Sequence, residues 1–252
     1  MQQYGREILL KALVGSHNYG LATPESDRDY KVYVLPTFEE LYYGKRFQHT
    51  VIGEYEDLDI HDVRKLPELL FKANINYLET LASSDICIPN GNIEMKQIFQ
   101  MRDDIFRMNL PYFYNACQGM FYQKMKQLTK GTEGTQHLVD KYGYDTKQAQ
   151  HALRCLKVIV DFEENDFEDF PKVIKYEGEE LAFMQGIRNG EVGNGYQFTE
   201  FVNKYKEDHF DVLSEKYGKQ PVNLELKEKI DNLVMQMIKR KLLTPPVGKK
   251  LV

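Results

Sequence analysis

The chain has no tryptophan, only three cysteines in 252 residues, and no excess of one charge large enough to set its partners. Lysine and arginine number 33 against 38 aspartates and glutamates, a net charge of −5 that suits an ordinary soluble surface. That balance argues against a basic nucleic-acid footprint spread over the whole molecule, though not against a local one. Cys87, Cys117 and Cys155 are odd in number and far apart, so they build neither a disulfide framework nor a zinc pattern. Free thiols suit a reducing cytoplasm, which is the expected location. No apolar run is long enough to cross a bilayer. The first residues lack a basic stretch followed by an apolar one, so no signal peptide is expected. Repeats and low-complexity tracts are absent too. Hydrophobic residues make up 42% of the chain, enough for a packed core.

What is there begins with an apolar run, residues 8–14, that leads straight into Gly15-Ser16-His17-Asn18-Tyr19-Gly20. This reads as a buried strand followed by a tight turn. Residues 30–35 form a second strand, rich in β-branched and aromatic side chains and stopped by Pro36. Asp27 and Asp29 lie at its start, one residue apart, and alternate residues of a strand point to the same side. Two carboxylates aimed at one point are a natural seat for Mg²⁺, a hard cation often completed by substrate phosphates. The Gly15-Ser16 turn offers backbone N–H groups and a hydroxyl to those phosphates. Metal beside a phosphate cradle points to chemistry on a nucleoside triphosphate. Two-metal phosphoryl chemistry calls for a third carboxylate from a neighbouring strand. Residues 51–60 read as that strand and offer Asp57 and Asp59, which share a face; periodicity does not choose between them.

Beyond this point the pattern turns helical. Residues 62–72 read as a helix capped by Asp62, with a shorter helix near 76–81. Pro67 is tolerated only near a helix start, so the first of these either starts late or is kinked. Pro89-Asn90-Gly91-Asn92 is turn chemistry. After it, helices are expected over 94–130, 145–165, 178–188, 198–216 and 223–242, with an exposed loop at 131–135 and an irregular tail from Thr244. Lys147, His151 and Arg154 fall at i, i+4 and i+7, on one helix face. The fold class expected is α+β, a small mixed-sheet core at 1–90 followed by a helical part at 91–252. The boundary does not require independent units, and a site between the two parts fits equally well.

Gly-Ser, a spacer, Ser-Asp-x-Asp and a third acidic strand together resemble the DNA polymerase beta-like nucleotidyltransferase superfamily. Within it, the match is to a branch of bacterial and phage nucleotidyltransferases that includes an RNA-repair-associated group. Gly15 through Asp29 is similar to that branch's first segment, and its third aspartate falls on Asp57, seven residues before Arg64. Asn74 to Glu79, Tyr144-Asp145-Thr146-Lys147 with His151 and Arg154, and Ile187-Arg188-Asn189-Gly190-Glu191 are similar to its later motifs. The resemblance covers roughly residues 12–192. It implies an Mg²⁺-dependent (or Mn²⁺-dependent) enzyme that moves a nucleoside monophosphate from an NTP to an acceptor hydroxyl. In that role Asp27, Asp29 and Asp57 would bind metal and act in catalysis. Gly15, Ser16, Lys147, His151 and Arg154 would hold the nucleotide. RNA, such as a tRNA or a damaged end, is one acceptor, with a protein hydroxyl or a small molecule also open. The resemblance assigns no role to Lys72, Glu79, Arg188 or Glu191. The competing reading is a non-catalytic nucleotide-binding or toxin-neutralising partner on the same scaffold, because fold alone does not fix function.

Overall fold

The computed structural model describes residues 2–24 and 26–243; the tail from Thr244 lies outside them. Six strands, β1 (Gln2–Gln3), β2 (Arg6–Val14), β3 (Arg28–Val34), β4 (Gln48–Val51), β5 (Glu56–Asp62) and β6 (Ile86–Cys87), make one mixed sheet. Its order is β1-β2-β3-β5-β4, with β6 also on β2. Only β3 and β5 run parallel; the other pairs are antiparallel. The fold is therefore α+β, as expected, with helices on the side of the sheet that carries Tyr33. The opposite side holds a small cluster of Ile8, Leu13, Tyr30, Val32, Val34 and Ile60.

Several expectations are corrected. The acidic stretch at 51–60 is not one strand: Val51 ends β4, residues 52–55 turn, and the rest belongs to β5, which pairs back on β4 in the register Val51↔Leu58. Gly53 marks the break, since a Cβ there would stand 2.5 Å from the Glu56 carbonyl oxygen. Asp27 lies outside β3, which starts at Arg28. A turn holds it back: Ser26 N–H donates to Thr23 O at 3.0 Å, and Thr23 N–H donates to Ser26 Oγ at 2.9 Å. The helix expected over 62–72 is split. Asp62 caps a 3₁₀ turn at Val63–Lys65, and the α-helix Leu66–Phe71 begins after it with Pro67 in its first turn. The helix therefore starts late.

Helices Leu110–Gln127 and Thr146–Glu164 pack side by side as the centre of the helical part. Phe170 fills its core, stacked on Phe106 at 4.5 Å and edge-on to Phe162 at 5.2 Å. The helix Gly178–Arg188 forms as expected, and the last helix, Leu224–Leu243, returns to pack on Leu66–Phe71 and Ile93–Gln100. Arg240 pairs there with Glu94 at 2.6 Å, and Lys241 with Glu7. The stretch expected as one helix at 198–216 is instead Gly195–Tyr205, a π turn at Lys206–Phe210, a 3₁₀ turn and Ser214–Gly218. One hydrophobic cluster runs from Leu9 to Met237 and includes side chains from sheet and helices alike.

Helix Thr146–Glu164 carries the basic row, and its start is fixed by Asp145, a fully buried cap. The Asp145 carboxylate accepts the Lys147 and Gln148 amides, both at 3.0 Å. An acidic N-cap satisfies amides that the helix itself leaves free. Asp145→Ala is expected to lower the unfolding free energy by about 1–2 kcal/mol in urea titrations.

Candidate active site

The sheet builds the site by register. In the parallel pair, Asp29 stands opposite Asp57, Lys31 opposite Asp59 and Tyr33 opposite His61. Alternate residues share a face, so these three rungs lie on the helix-covered side. A cleft of about 290 Å³ opens there, lined by Gly15, Asp29, Lys31, Asp57, Asp59 and Glu79 among others.

Gly15 leaves β2 with φ +72, a conformation that favours glycine, and passes directly against Asp29. A Cβ at Gly15 would be 2.6 Å from Asp29 Oδ2. Ser16 begins the short helix Ser16–Tyr19 that follows. His17, which has no assigned role, places Nε2 3.0 Å from Ser26 O and ties the turn to the Asp27 loop.

The two acidic rungs differ. Lys31 Nζ lies 2.8 Å from Asp59 Oδ2, and His61 Nε2 lies 2.8 Å from the same oxygen, off the line of a good hydrogen bond. Burial alone would raise the Asp59 pKa, but His61 and Lys31 hold it below the ordinary carboxylate range. Among the described residues Asp57 pairs with no such cation; its Oδ1 accepts Gly53 N–H at 3.1 Å. Burial raises the Asp29 pKa, the charge of Asp57 raises it further, and Lys147 opposes both.

Asp27 is exposed at the rim, near enough for its charge to reach Asp29 but not lining the cleft. Among the described residues, no group of three or more His, Cys, Asp and Glu side chains is gathered to hold a metal ion. The Asp29–Asp57 pair still fits Mg²⁺, since two hard oxygen donors repel each other without a cation, and Mg²⁺ is commonly bound through one or two carboxylates plus phosphates.

Of the basic row, Lys147 acts on the cleft and Arg154 on Glu79 and Tyr19 behind the Gly15 turn. Lys147 is exposed at the helix start and acts on Asp29. His151 is partly buried, and burial pushes its pKa well down, helped by Arg154, Lys124, Lys147 and Arg188. Arg154 is buried, with its guanidinium carbon 3.9 Å from the centre of the Tyr19 ring. Arg64 and Lys65 do not reach the cleft: Arg64 Nε donates to Asp62 at 3.0 Å, and Lys65 Nζ to Gln48 at 2.6 Å. Lys72 pairs on the surface with Glu68 at 2.7 Å. Arg188 Nη1 is buried without a hydrogen-bond partner and forms no ion pair with Glu191 among the described residues.

Lys31, Lys124 and Tyr19 belong to this environment and were not singled out from the sequence, while Glu79 was quoted there without a role. Glu79 is the most telling, because its carboxylate receives Gly15 N–H at 3.1 Å and the Tyr19 hydroxyl. Only its place in the Asn74-to-Glu79 motif pointed to it.

The sequence pattern of RlaP, the RNA repair pathway DNA polymerase beta family, matches residues 1–166, and the chain belongs to that family. No curated protein matches it.

The repulsion at the acidic rung has a measurable consequence. Asp29 has a higher pKa folded than unfolded, so the fold loses stability as pH rises through the folded value, and the whole penalty is present above it. Asp57→Asn keeps an acceptor for Gly53 and removes the repelling charge. In EDTA at pH 7 it is expected to raise Tm, on the order of 2 °C. The gain should shrink as pH falls through the raised Asp29 pKa, where the repulsion is lost, and on addition of Mg²⁺, which stabilises the parent. Identical melting curves in EDTA at pH 7 would contradict the repulsion.

Proposed function

We propose that this member of the RNA repair polymerase beta family is a nucleotidyltransferase, moving a nucleoside monophosphate from an NTP to an acceptor hydroxyl. The observation that carries the reading is the register placing Asp29 beside Asp57 at the Gly15 turn, within reach of the Lys147 charge. The acceptor oxygen forms a bond to the α-phosphorus, the bond from that phosphorus to the bridging oxygen breaks, and pyrophosphate leaves. Mg²⁺ or Mn²⁺ held by Asp29 and Asp57, with Asp27 joining them, would neutralise the charge that develops on the phosphate oxygens. Asp57 takes the proton of the acceptor hydroxyl. Ser16 meets the β- and γ-phosphates from the sheet side, on the turn that Gly15 opens; the Gly15 N–H itself is taken by Glu79.

Lys147 supplies positive charge from the helical side as a point charge on phosphate, with His151 and the buried Arg154 adding to the field behind it. Lys124 and Arg188 extend that field. A polyphosphate entering it would draw a proton onto His151, because an anion favours the imidazolium form. The family description, with its RNA repair pathway, favours an RNA hydroxyl as acceptor. Cys117 and Cys155 are buried free thiols and Cys87 is an exposed one, which suits a reducing compartment such as the cytoplasm. No helix among the described residues is long and apolar enough to cross a membrane.

The test is transfer of label from each α-³²P-NTP to separate pools of tRNA, oligonucleotides and total protein. Label is expected in RNA with the parent protein and in none of the pools with Asp27→Ala, Asp29→Ala or Asp57→Ala. Asp59→Asn should keep transfer and lose stability instead. Nucleotide-dependent melting shifts without metal requirement or turnover would return the chain to a binding module.

A further inference from the structure

Glu79 takes no part in the chemistry proposed above, yet the phosphate turn hangs on it. It is 3% exposed, and one oxygen, Oε2, receives both Gly15 N–H at 3.1 Å and the Tyr19 hydroxyl. The grip continues through the backbone: Asn18 Nδ2 donates to the Glu79 carbonyl at 3.4 Å, and Ser84 N–H donates to Asn18 Oδ1 at 3.1 Å. Turn 15–19 is thus clamped along its length by the segment 74–84. From the other side, Arg154 stacks on the Tyr19 ring, and Tyr176 N–H donates to Tyr19 O at 2.9 Å.

Stability alone is a poor explanation for this trio. Buried charges are costly to desolvate, and well-packed apolar residues often serve a fold as well. The position is more informative. With its N–H turned inward to Glu79, Gly15 is not free to meet a phosphate, and the outward side of the turn is left to Ser16. A carboxylate behind a phosphate cradle would repel the ligand unless neutralised, and Arg154 is the cation placed to do so.

We propose that Glu79 is a positioning residue, fixing the Gly15-Ser16 turn in its phosphate-receiving shape, with Arg154 cancelling its charge and locking the turn to helix Thr146–Glu164. This rests on the reading of the cleft as a nucleotide site. A turn already in its bound shape avoids the ordering loss on binding, so loosening it should be felt by phosphates and not by the carboxylate pair.

The experiment uses the full chain and two probes. Magnesium tripolyphosphate binding is measured by calorimetry, and Mn²⁺ binding without polyphosphate by electron paramagnetic resonance. Glu79→Gln is expected to weaken tripolyphosphate about tenfold and to leave Mn²⁺ affinity unchanged. In the transfer assay it should raise the KM for NTP with kcat retained. Tyr19→Phe keeps the ring under Arg154 and removes only the hydroxyl; it should lose tripolyphosphate affinity in the same direction, by less. If Glu79→Gln does not fold, Tyr19→Phe decides alone. Parent-level tripolyphosphate affinity in the folded variants overturns the proposal, and so does a parallel fall in Mn²⁺ affinity. A parent protein that binds Mn²⁺ but no tripolyphosphate overturns the nucleotide reading itself.

Discussion

Parallel pairing of β3 with β5 is the constraint from which everything at the cleft follows. The register sets Asp29 against Asp57. A slip of one residue would leave Asp29 opposite Leu58 or Glu56 and turn the partner's carboxylates to the other side of the sheet. The same pairing sets what each charge meets. The first rung is an acidic pair with Lys147 acting on it from the helices, the next joins Asp59 to Lys31, and the third sets the Tyr33 ring 5.9 Å from that of His61. Asp29 and Asp59 are both partly buried, so the direct contact with Lys31, not depth, distinguishes the two rungs.

The net charge of −5 conceals a sharp local division. Acidic groups gather on the sheet, while Lys124, Lys147, Arg154 and Arg188 surround His151 on the helices. Glu79 reaches across to the basic side, where the Asp145 cap also lies. Burial raises the Glu79 pKa above the ordinary carboxylate range, against the opposing pull of Arg154, Tyr19 and the Gly15 amide. Held this way, the acidic floor and the basic wall meet at the Gly15 turn.

Local sequence patterns carried much of this. The apolar run before Gly15, the terminal helices and the common face of Lys147, His151 and Arg154 all follow from periodicity within a few residues. Asp59 could not be separated from Asp57 by periodicity, since they share a strand face. The difference lies with Lys31, a residue on another strand that engages one and not the other. Asp27 was misplaced because the turn at 23–26 is held by Ser26, a contact that strand periodicity does not register. The hairpin at Gly53 was hidden for a similar reason, its acidic and apolar residues alternating well enough to imitate one strand. Glu79 depends on partners 60 and 64 positions away, beyond the reach of any window.

Asp57 also serves as a strut. One of its oxygens holds the Gly53 amide, and with it the bend between β4 and β5, where Ile52 and Tyr55 stand largely in solvent. The hairpin tip is therefore tethered to the same carboxylate that faces the cleft. Whatever grips that side chain also tugs on the tip, so occupancy of the interior can be announced at the rim. A glutamate in its place would push the two ends of that tether apart by a methylene, which makes aspartate the fitting length for both duties.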